Sequence, residues 1–167
     1  LPGYRKITDP EHRAQVARVW GVEPEIIPGP GLPAVELLEA LGTPTGPRMM
    51  MIHGANPVIS APDASKVSRA LASLDFLVVC DFFLSETAAQ ADLVLPVLQW
   101  AEEEGSMTNL EGRILRRRAA LEAPRNARSE LWILSQLAQR LDAPGRFSPD
   151  PREVFEELKR ASAGGLA

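Results

Sequence analysis

The sequence contains a single cysteine, Cys80, among its 167 residues. One cysteine cannot form a disulfide within the chain, and it cannot supply the several thiolates that hold an iron–sulfur cluster. Long apolar runs are also missing, since no segment approaches the roughly 18 residues that a membrane-spanning helix needs. These absences favour a globular protein without a membrane span and predict a cytoplasmic setting.

Strong net charge is lacking as well. The 18 basic and 22 acidic residues leave a net charge of -4, which argues against a nucleic-acid partner bound by bulk charge. The length and the 45% apolar content fit a globular domain able to bury a core. The chain begins at Leu1 without a signal-peptide pattern and closes on ASAGGLA, and we expect both ends to be cut from a longer protein.

Apolar strands alternate with helices between residues 48 and 96. RMMMIHG (48–54) and FLVVC (76–80) predict buried strands, and a third strand is expected over 92–96. A helix with Pro62 in its first turn is predicted between the first two strands, and a short helix over 86–91 precedes the third. The helical spacing i, i+3, i+4, i+7 is formed by Val67, Ala70, Leu71 and Leu74. This order predicts an α/β fold with three layers, in which helices cover both faces of a mainly parallel sheet.

Helices and irregular segments flank this region. Asp9-Pro10 predicts a helix start and Gly21 its end, and AVELLEAL predicts a second helix closed by Gly42. Turn signals after Pro96 predict a hairpin or short irregular strands. We therefore divide the chain into a helical and loop lead-in (1–47), a dinucleotide-binding α/β domain (48–142) and a carboxyl-terminal helix with a cut end (143–167).

Two helices are predicted near the carboxyl end. Asp150-Pro151 opens the last one, with Glu153 in its first turn and with Val154, Phe155 and Leu158 facing inward. The other is predicted within ARSELWILSQLAQRLDAPG. Its expected apolar face consists of Leu131, Leu134, Leu137, Ala138 and Leu141.

Polar residues follow the first two predicted strands where each strand ends. Gly54 would let a ligand approach the backbone, and Asn56 offers donor and acceptor groups. Asp81, directly after Cys80, could accept hydrogen bonds from ribose hydroxyls or from guanine. Because ligands of parallel sheets bind outside the carboxyl ends of the strands, these residues predict a nucleotide site. No GxGxxG follows the first strand, so an NAD-type pyrophosphate turn is excluded.

The next turn offers hydroxyls together with an unfavourable charge. Ser85 and Thr87 lie where hydroxyls and free N–H groups could meet phosphate, whereas Glu86 would repel it. Each of these features also has an ordinary structural interpretation, since Asn-Pro and Ser-Glu-Thr are common turn and cap sequences. Asp92 could equally form a turn, and a cysteine at a strand end is most often a buried thiol.

The residues in this order resemble the molybdopterin oxidoreductases, which hold molybdenum through two molybdopterin guanine dinucleotides (bis-MGD). The resemblance is carried by GANPVISAPDASKVSRAL, LDFLVVCDFFLSETAAQADLVLP and WAEEEGSMTNLEGR, and it covers about residues 48–142. It implies the Rossmann-like fold of the third domain of formate dehydrogenases and DMSO reductases. The segments most similar to assimilatory nitrate reductases, which reduce nitrate to nitrite, are LPGYRKI and WGVEPEIIPGPG. Formate dehydrogenases share much of the same sequence.

The resemblance also implies roles for individual residues. Asn56 would contact the guanine dinucleotide, and Cys80 (through its backbone) and Asp81 would meet its nucleoside end. Glu130 matches a position that reaches the cofactor, whereas Glu103 stands where some members carry Lys. The family's molybdenum ligand and iron–sulfur cysteines would lie outside this chain, so we expect no catalytic or metal-ligating residue here and no redox activity of the fragment alone. The expected partners are the other domains of the parent chain and an electron donor of unknown identity.

Two alternatives remain at this stage. The parent could oxidise formate, since formate dehydrogenases share the same motifs. The domain could also be a non-catalytic scaffold, as in the large cluster-bearing subunit of respiratory NADH dehydrogenase, which keeps the fold without the metal. Retention of Asn56 and Asp81 favours a binding domain over a scaffold.

Overall fold

The computed structural model describes residues 1–164, which form two compact units. The second unit consists of Leu32–Glu102 and Leu121–Arg128. The first unit consists of Leu1–Gly31, Glu103–Ala120 and the described residues from Ser129 onward. The chain therefore leaves and re-enters each unit. The division after residues 47 and 142 was predicted from the expected cofactor-binding domain, and it stays a prediction. Residues 165–167 of the predicted cut end lie outside the described residues.

The second unit is built on a three-stranded parallel sheet in the order β1-β2-β3. Its strands are β1 (Met49–His53), β2 (Phe76–Asp81) and β3 (Leu93–Pro96). In register, Met49 is opposite Phe76, and Val78 is opposite Leu93. The three predicted strands and their parallel pairing are confirmed.

Both faces of β2 are buried, which explains its uninterrupted apolar sequence. Leu77 and Val79 pack into the main core of the unit, while Val78 and Cys80 are buried on the opposite face. The core is completed mainly by side chains from the preceding elements and from the turn before β3: Leu41, Ile52, Val58, Val67, Leu71 and Ala88. The α/β class predicted from the sequence is therefore confirmed.

The helix between β1 and β2 is α4 (Ala64–Ala72), and it buries Val67 and Leu71 as its spacing predicts. Its start was predicted wrongly. Pro62 precedes the helix, and Asp63 caps it by accepting a hydrogen bond from the Lys66 N–H at 3.0 Å. An N-cap residue has a non-helical conformation and marks the helix boundary. Because Asp63 is the N-cap, Pro62 lies outside the helix.

Other connections of the second unit differ in detail from the sequence expectation. The lead-in helix is α2 (Ala34–Ala40), and a short helix that was not predicted, α3 (Pro57–Ser60), follows β1. The helix expected over 86–91 is only a 3-10 turn, Ala88–Gln90. A turn this short has almost no dipole, so it gives no helix terminus for a phosphate.

The first unit contains helices and a hairpin. Its helices are α1 (Pro10–Trp20), α5 (Glu130–Arg140) and α6 (Pro151–Ser162). The antiparallel strands β4 (Gly105–Thr108) and β5 (Ile114–Arg117) form the predicted hairpin. Within residues 1–164, no helix is long and apolar enough to cross a membrane.

The capping residues predicted for α1 and α6 are confirmed. The Asp9 carboxylate accepts from the backbone N–H groups of Glu11 and His12, and Gly21 ends α1 at a φ of 68°. The Asp150 carboxylate accepts from the Arg152 N–H at 2.8 Å. These carboxylates satisfy donors that have no partner inside a first helical turn.

The buried faces of α5 and α6 were predicted less well. In α5 the buried residues are Ile133 and Ser135, whereas Leu134 and Leu141 are exposed. In α6, Ala161 is buried and Leu158 is exposed. Periodicity predicted the helices correctly. The residues that packing buries are fewer than predicted, and they differ from the predicted leucines.

Candidate functional site

The loops that follow β1 and β2 lie side by side at the carboxyl edge of the sheet. The Gly54 N–H donates to the Cys80 carbonyl at 2.8 Å, which extends the pairing of His53 with Cys80 by one residue. Gly54 has a φ of 54°, and a Cβ at this position would meet no atom within 4 Å. Glycine is favoured here by the positive φ, and the space above it is open to a ligand.

The Asn56 side chain joins the two loops. Its Nδ2 donates to Glu86 Oε2 at 2.7 Å, and its Oδ1 accepts from the Thr87 hydroxyl at 2.7 Å and from the Thr87 N–H at 3.3 Å. Asn56 also begins α3, since its carbonyl accepts from the N–H groups of Ile59 and Ser60. This residue therefore fixes the distance between the loops at the predicted site.

Thr87 is the fully buried centre of this connection. Its hydroxyl donates to Asn56 and accepts from the Val58 N–H at 3.2 Å. The donor of the hydroxyl and one of its two acceptor lone pairs are thus used inside the protein. Any effect of Thr87 on a ligand would pass through the position of Asn56.

Asp81 shapes the loop that follows β2. One carboxylate oxygen accepts from the Phe83 N–H at 3.3 Å, and the other accepts from the Ser85 hydroxyl at 2.8 Å. The side chain is only 8% exposed. Because each carboxylate oxygen can accept more than one hydrogen bond, Asp81 retains acceptor capacity.

The charge at this edge is negative. Glu86 is exposed, and the hydrogen bond from Asn56 lowers the pKa of its carboxyl group, so that Glu86 is ionised at neutral pH. A carboxylate repels phosphate groups but accepts hydrogen bonds from a base or a sugar. The surroundings of Glu86 are therefore better suited to the nucleoside end of a ligand.

Sequence reasoning missed two aromatic residues beside this site. Phe82 and Phe83 directly follow Asp81 and are 58% and 72% exposed. Their rings meet edge to face, with centroids 6.0 Å apart. The run FFL was a visible signal, because three large apolar residues are consecutive in a segment that follows a strand.

Glu130 belongs to the first unit, whereas the other predicted cofactor-binding residues belong to the second. It is the first residue of α5, after the Ser129 cap. Within the same unit, burial raises the pKa of Glu103 and the negative charge of Glu130 raises it further, while the charge of Arg117 at 3.8 Å lowers it. Among residues 1–164, no group of three or more His, Cys, Asp or Glu side chains is arranged to hold a metal ion.

Comparison with known proteins identifies the family. The family model described as molybdopterin oxidoreductase matches residues 24–140. The chain is 41% identical to the assimilatory nitrate reductase catalytic subunit of Bacillus subtilis, over 100% of this chain and 24% of that protein. It is 36% identical to the F420-dependent formate dehydrogenase subunit alpha of Methanocaldococcus jannaschii, over 97% of this chain and 23% of that protein.

A solved structure gives independent support for the fold. Acetylene hydratase from Pelobacter acetylenicus superposes with a TM-score of 0.62 at 22% identity, over 89% of this chain and 23% of that chain. The chain thus spans about a quarter of the length of the relatives it matches. Since the family model matches well over half of its residues, the chain belongs to the molybdopterin oxidoreductase family, and this membership implies a molybdenum–pterin cofactor.

Proposed function

We propose that this chain is the part of a molybdenum oxidoreductase that holds one molybdopterin guanine dinucleotide. The observation that carries the proposal is the junction of two polar loops beside open space at the carboxyl edge of a parallel sheet, with Gly54 on one loop and Asp81 on the other. Nucleotide cofactors bind at this edge in related sheet architectures. Family membership supplies the class of cofactor.

The residues at the junction have the chemistry that a guanosine group needs. Gly54 gives backbone access, the Cys80 and Asp81 backbone lies at the tip of β2, and the Asp81 carboxylate has remaining acceptor capacity. Asn56 would contact the dinucleotide while Thr87 holds its amide in place. For Glu130, a cofactor contact is carried over from the resemblance to the family alone.

The bound bis-MGD group would supply oxygen-atom transfer at molybdenum. This chain would bind and orient one dinucleotide, and it would contribute no acid, base or nucleophile to the reaction. The metal ligand, the iron–sulfur cluster, the second set of pterin contacts and the electron-donor interface would come from other parts of the parent. The parent would be a cytoplasmic enzyme.

Nitrate reduction to nitrite is the activity we propose for the parent. The 41% identity to the Bacillus subtilis nitrate reductase subunit supports it. Formate oxidation is the alternative, supported by the 36% identity to the Methanocaldococcus jannaschii formate dehydrogenase subunit. The parent protein, purified with its molybdenum, should reduce nitrate with a reduced viologen dye as the electron source. Formate-dependent dye reduction without nitrate reduction would reverse this assignment.

Cofactor binding is tested on the 167-residue chain with GDP as the probe. We expect GDP to shift the backbone amide resonances of Gly54, Asn56 and Asp81 at millimolar concentration. Asn56→Asp removes the amide donors and adds a negative charge, and it should weaken binding about tenfold. Asn109→Asp is the matched control, because Asn109 Oδ1 accepts from the Glu111 and Arg113 N–H groups in its hairpin turn and Asp keeps that acceptor.

The outcomes separate a binding domain from a scaffold. Shifts confined to the two loops, lost in Asn56→Asp and kept in Asn109→Asp, would support the proposal. Unchanged spectra at millimolar GDP would contradict it. They would favour the non-catalytic scaffold, which keeps the fold without the cofactor.

A further inference from the structure

Three successive apolar side chains are exposed directly beside the proposed nucleotide site. Phe82, Phe83 and Leu84 are 58%, 72% and 74% exposed. Exposed apolar groups that are contiguous usually mark a surface that contacts something else. Their position beside Asp81, at the tip of the central strand, suggests what that contact is.

We propose that the edge-to-face pair of Phe82 and Phe83 is the stacking platform for the guanine base of the cofactor. This inference rests on the proposed function and assigns it a specific recognition element. Every nucleobase has a π-face, and aromatic side chains bind bases by stacking on it. The interplanar angle of 88° leaves the two rings facing in different directions, so that one can stack while the other supports it from its edge.

Hydrogen bonds within the loop fix the backbone that carries this pair. Asp81 accepts from the Phe83 N–H, and it is itself bound by the Ser85 hydroxyl. That hydroxyl also accepts from the Ala88 N–H at 3.3 Å, which ties the loop to the following turn. A surface fixed in this way loses less conformational entropy on binding than a mobile loop would.

The surrounding chemistry favours a base over the other parts of a nucleotide. Phenyl rings offer no hydrogen-bond donors to phosphate, and the nearby Glu86 is ionised and repels it. Ribose has little flat apolar surface. A purine base combines a large π-face with N–H groups that can donate hydrogen bonds to a carboxylate. It is therefore the group that fits this loop.

The test compares leucine substitutions in the loop after β2 with one at the amino end of β2. The double variant Phe82→Leu/Phe83→Leu keeps apolar side chains but removes the π-faces, and it should weaken GDP binding about tenfold. Phe76→Leu is the matched control, because Phe76 is partly exposed at the amino end of β2. We expect GDP to bind to Phe76→Leu and to the unmodified chain equally well.

A second measurement separates stacking from a structural effect. The unmodified chain should bind GDP more tightly than CDP, since a pyrimidine has a smaller stacking surface, and this preference should shrink in the double variant. Nuclear Overhauser effects should connect guanine H8 to phenyl protons in the unmodified chain and in Phe76→Leu. Backbone amide spectra establish that each variant is folded.

Failure of this inference differs from failure of the proposed function. If GDP binds to the unmodified chain and equally well to all variants, the stacking role is overturned while the cofactor site stands. If GDP does not bind to the unmodified chain, the proposed function and the stacking role are both overturned. A loss of binding in the double variant together with unchanged preference for GDP over CDP would also overturn stacking.

Discussion

At the residue scale, Thr87 connects the two polar loops of the second unit. Its buried hydroxyl accepts from the Val58 N–H at 3.2 Å and donates to Asn56 Oδ1 at 2.7 Å. A buried hydrogen bond contributes little net free energy when made, but a buried donor left without a partner is costly. The geometry of the candidate site therefore depends on a side chain that is not itself accessible.

Replacing Thr87 by valine tests this dependence. Thr87→Val preserves shape but leaves the Val58 N–H without its acceptor, and we expect the free energy of unfolding to fall by about 1–3 kcal/mol. Hydrogen exchange of the β1 and β2 amides measures the change. Thr108→Val, on the exposed strand β4, should change stability by no more than about 0.5 kcal/mol. Equal effects of the two substitutions would contradict the role of Thr87.

Glu86 gives the site a defined response to pH. The hydrogen bond from Asn56 lowers the pKa of Glu86 below its ordinary value of 4.5. Folding therefore favours the ionised carboxylate, and its contribution to stability is fully present above pH 4.5 and is lost as the pH falls through the lowered pKa.

The Asn56 side-chain amide resonances report this titration. We expect them to shift as the pH falls, with a midpoint below 4.5. Glu86→Gln should abolish the shift, because glutamine keeps an acceptor oxygen and does not titrate. A titration midpoint above 4.5 in the unmodified chain would show that the hydrogen bond does not hold the carboxylate in its charged form.

At the element scale, the sequence predicted those structures whose physical cause is local or strongly patterned. Strand β2 is apolar without interruption because both of its faces are buried, and α4 shows helical spacing. The buried face of α5 was predicted wrongly, since Ile133 and the leucines lie on different stripes and tertiary packing decides between them. The candidate site was predicted from residue types at strand ends, and it stays a prediction. The hydrogen bonds among Asn56, Glu86 and Thr87 could not be predicted, because they join loops distant in sequence.

Gly46 is an element-scale feature that composition could not reveal. It lies in the connection between α2 and β1, where the sequence indicates only a linker. A Cβ on Gly46 would stand 1.8 Å from the Ala40 carbonyl oxygen and 2.9 Å from Thr43 Oγ1. The connection can return past the end of α2 only because this residue has no side chain.

Gly46→Ala should therefore destabilise the second unit. Relief of the contact requires the backbone to shift, and we expect a loss of about 1–3 kcal/mol, the usual range for overpacking. Thermal unfolding followed by circular dichroism measures it. Gly31→Ala is the control, because a Cβ there would meet nothing within 4 Å and its φ is not in the left-handed region. A neutral Gly46→Ala would mean that the connection is free to move.

At the scale of the whole molecule, the order of residues along the chain does not coincide with the compact units. The second unit begins at Leu32, ahead of the predicted cofactor domain, and it regains Leu121–Arg128 after the hairpin. Leu41 is buried in its core, and Leu38 packs against that core. The segment 32–47 is therefore part of the folding unit that carries the candidate site.

Shortened chains test this assignment. Residues 32–128 keep the whole second unit, whereas residues 48–128 lose Leu38 and Leu41 and expose the core that they cover. Full burial of a leucine contributes about 1.5–3 kcal/mol. Leu41 is buried and Leu38 is partly buried, so the shorter chain should be less stable by at least about 1.5 kcal/mol. Since small domains are stable by only about 5–15 kcal/mol, we expect a cooperative thermal transition for 32–128 and a weakened or absent one for 48–128. Equal midpoints would show that the parallel sheet folds without α2 and would return the boundary to residue 48.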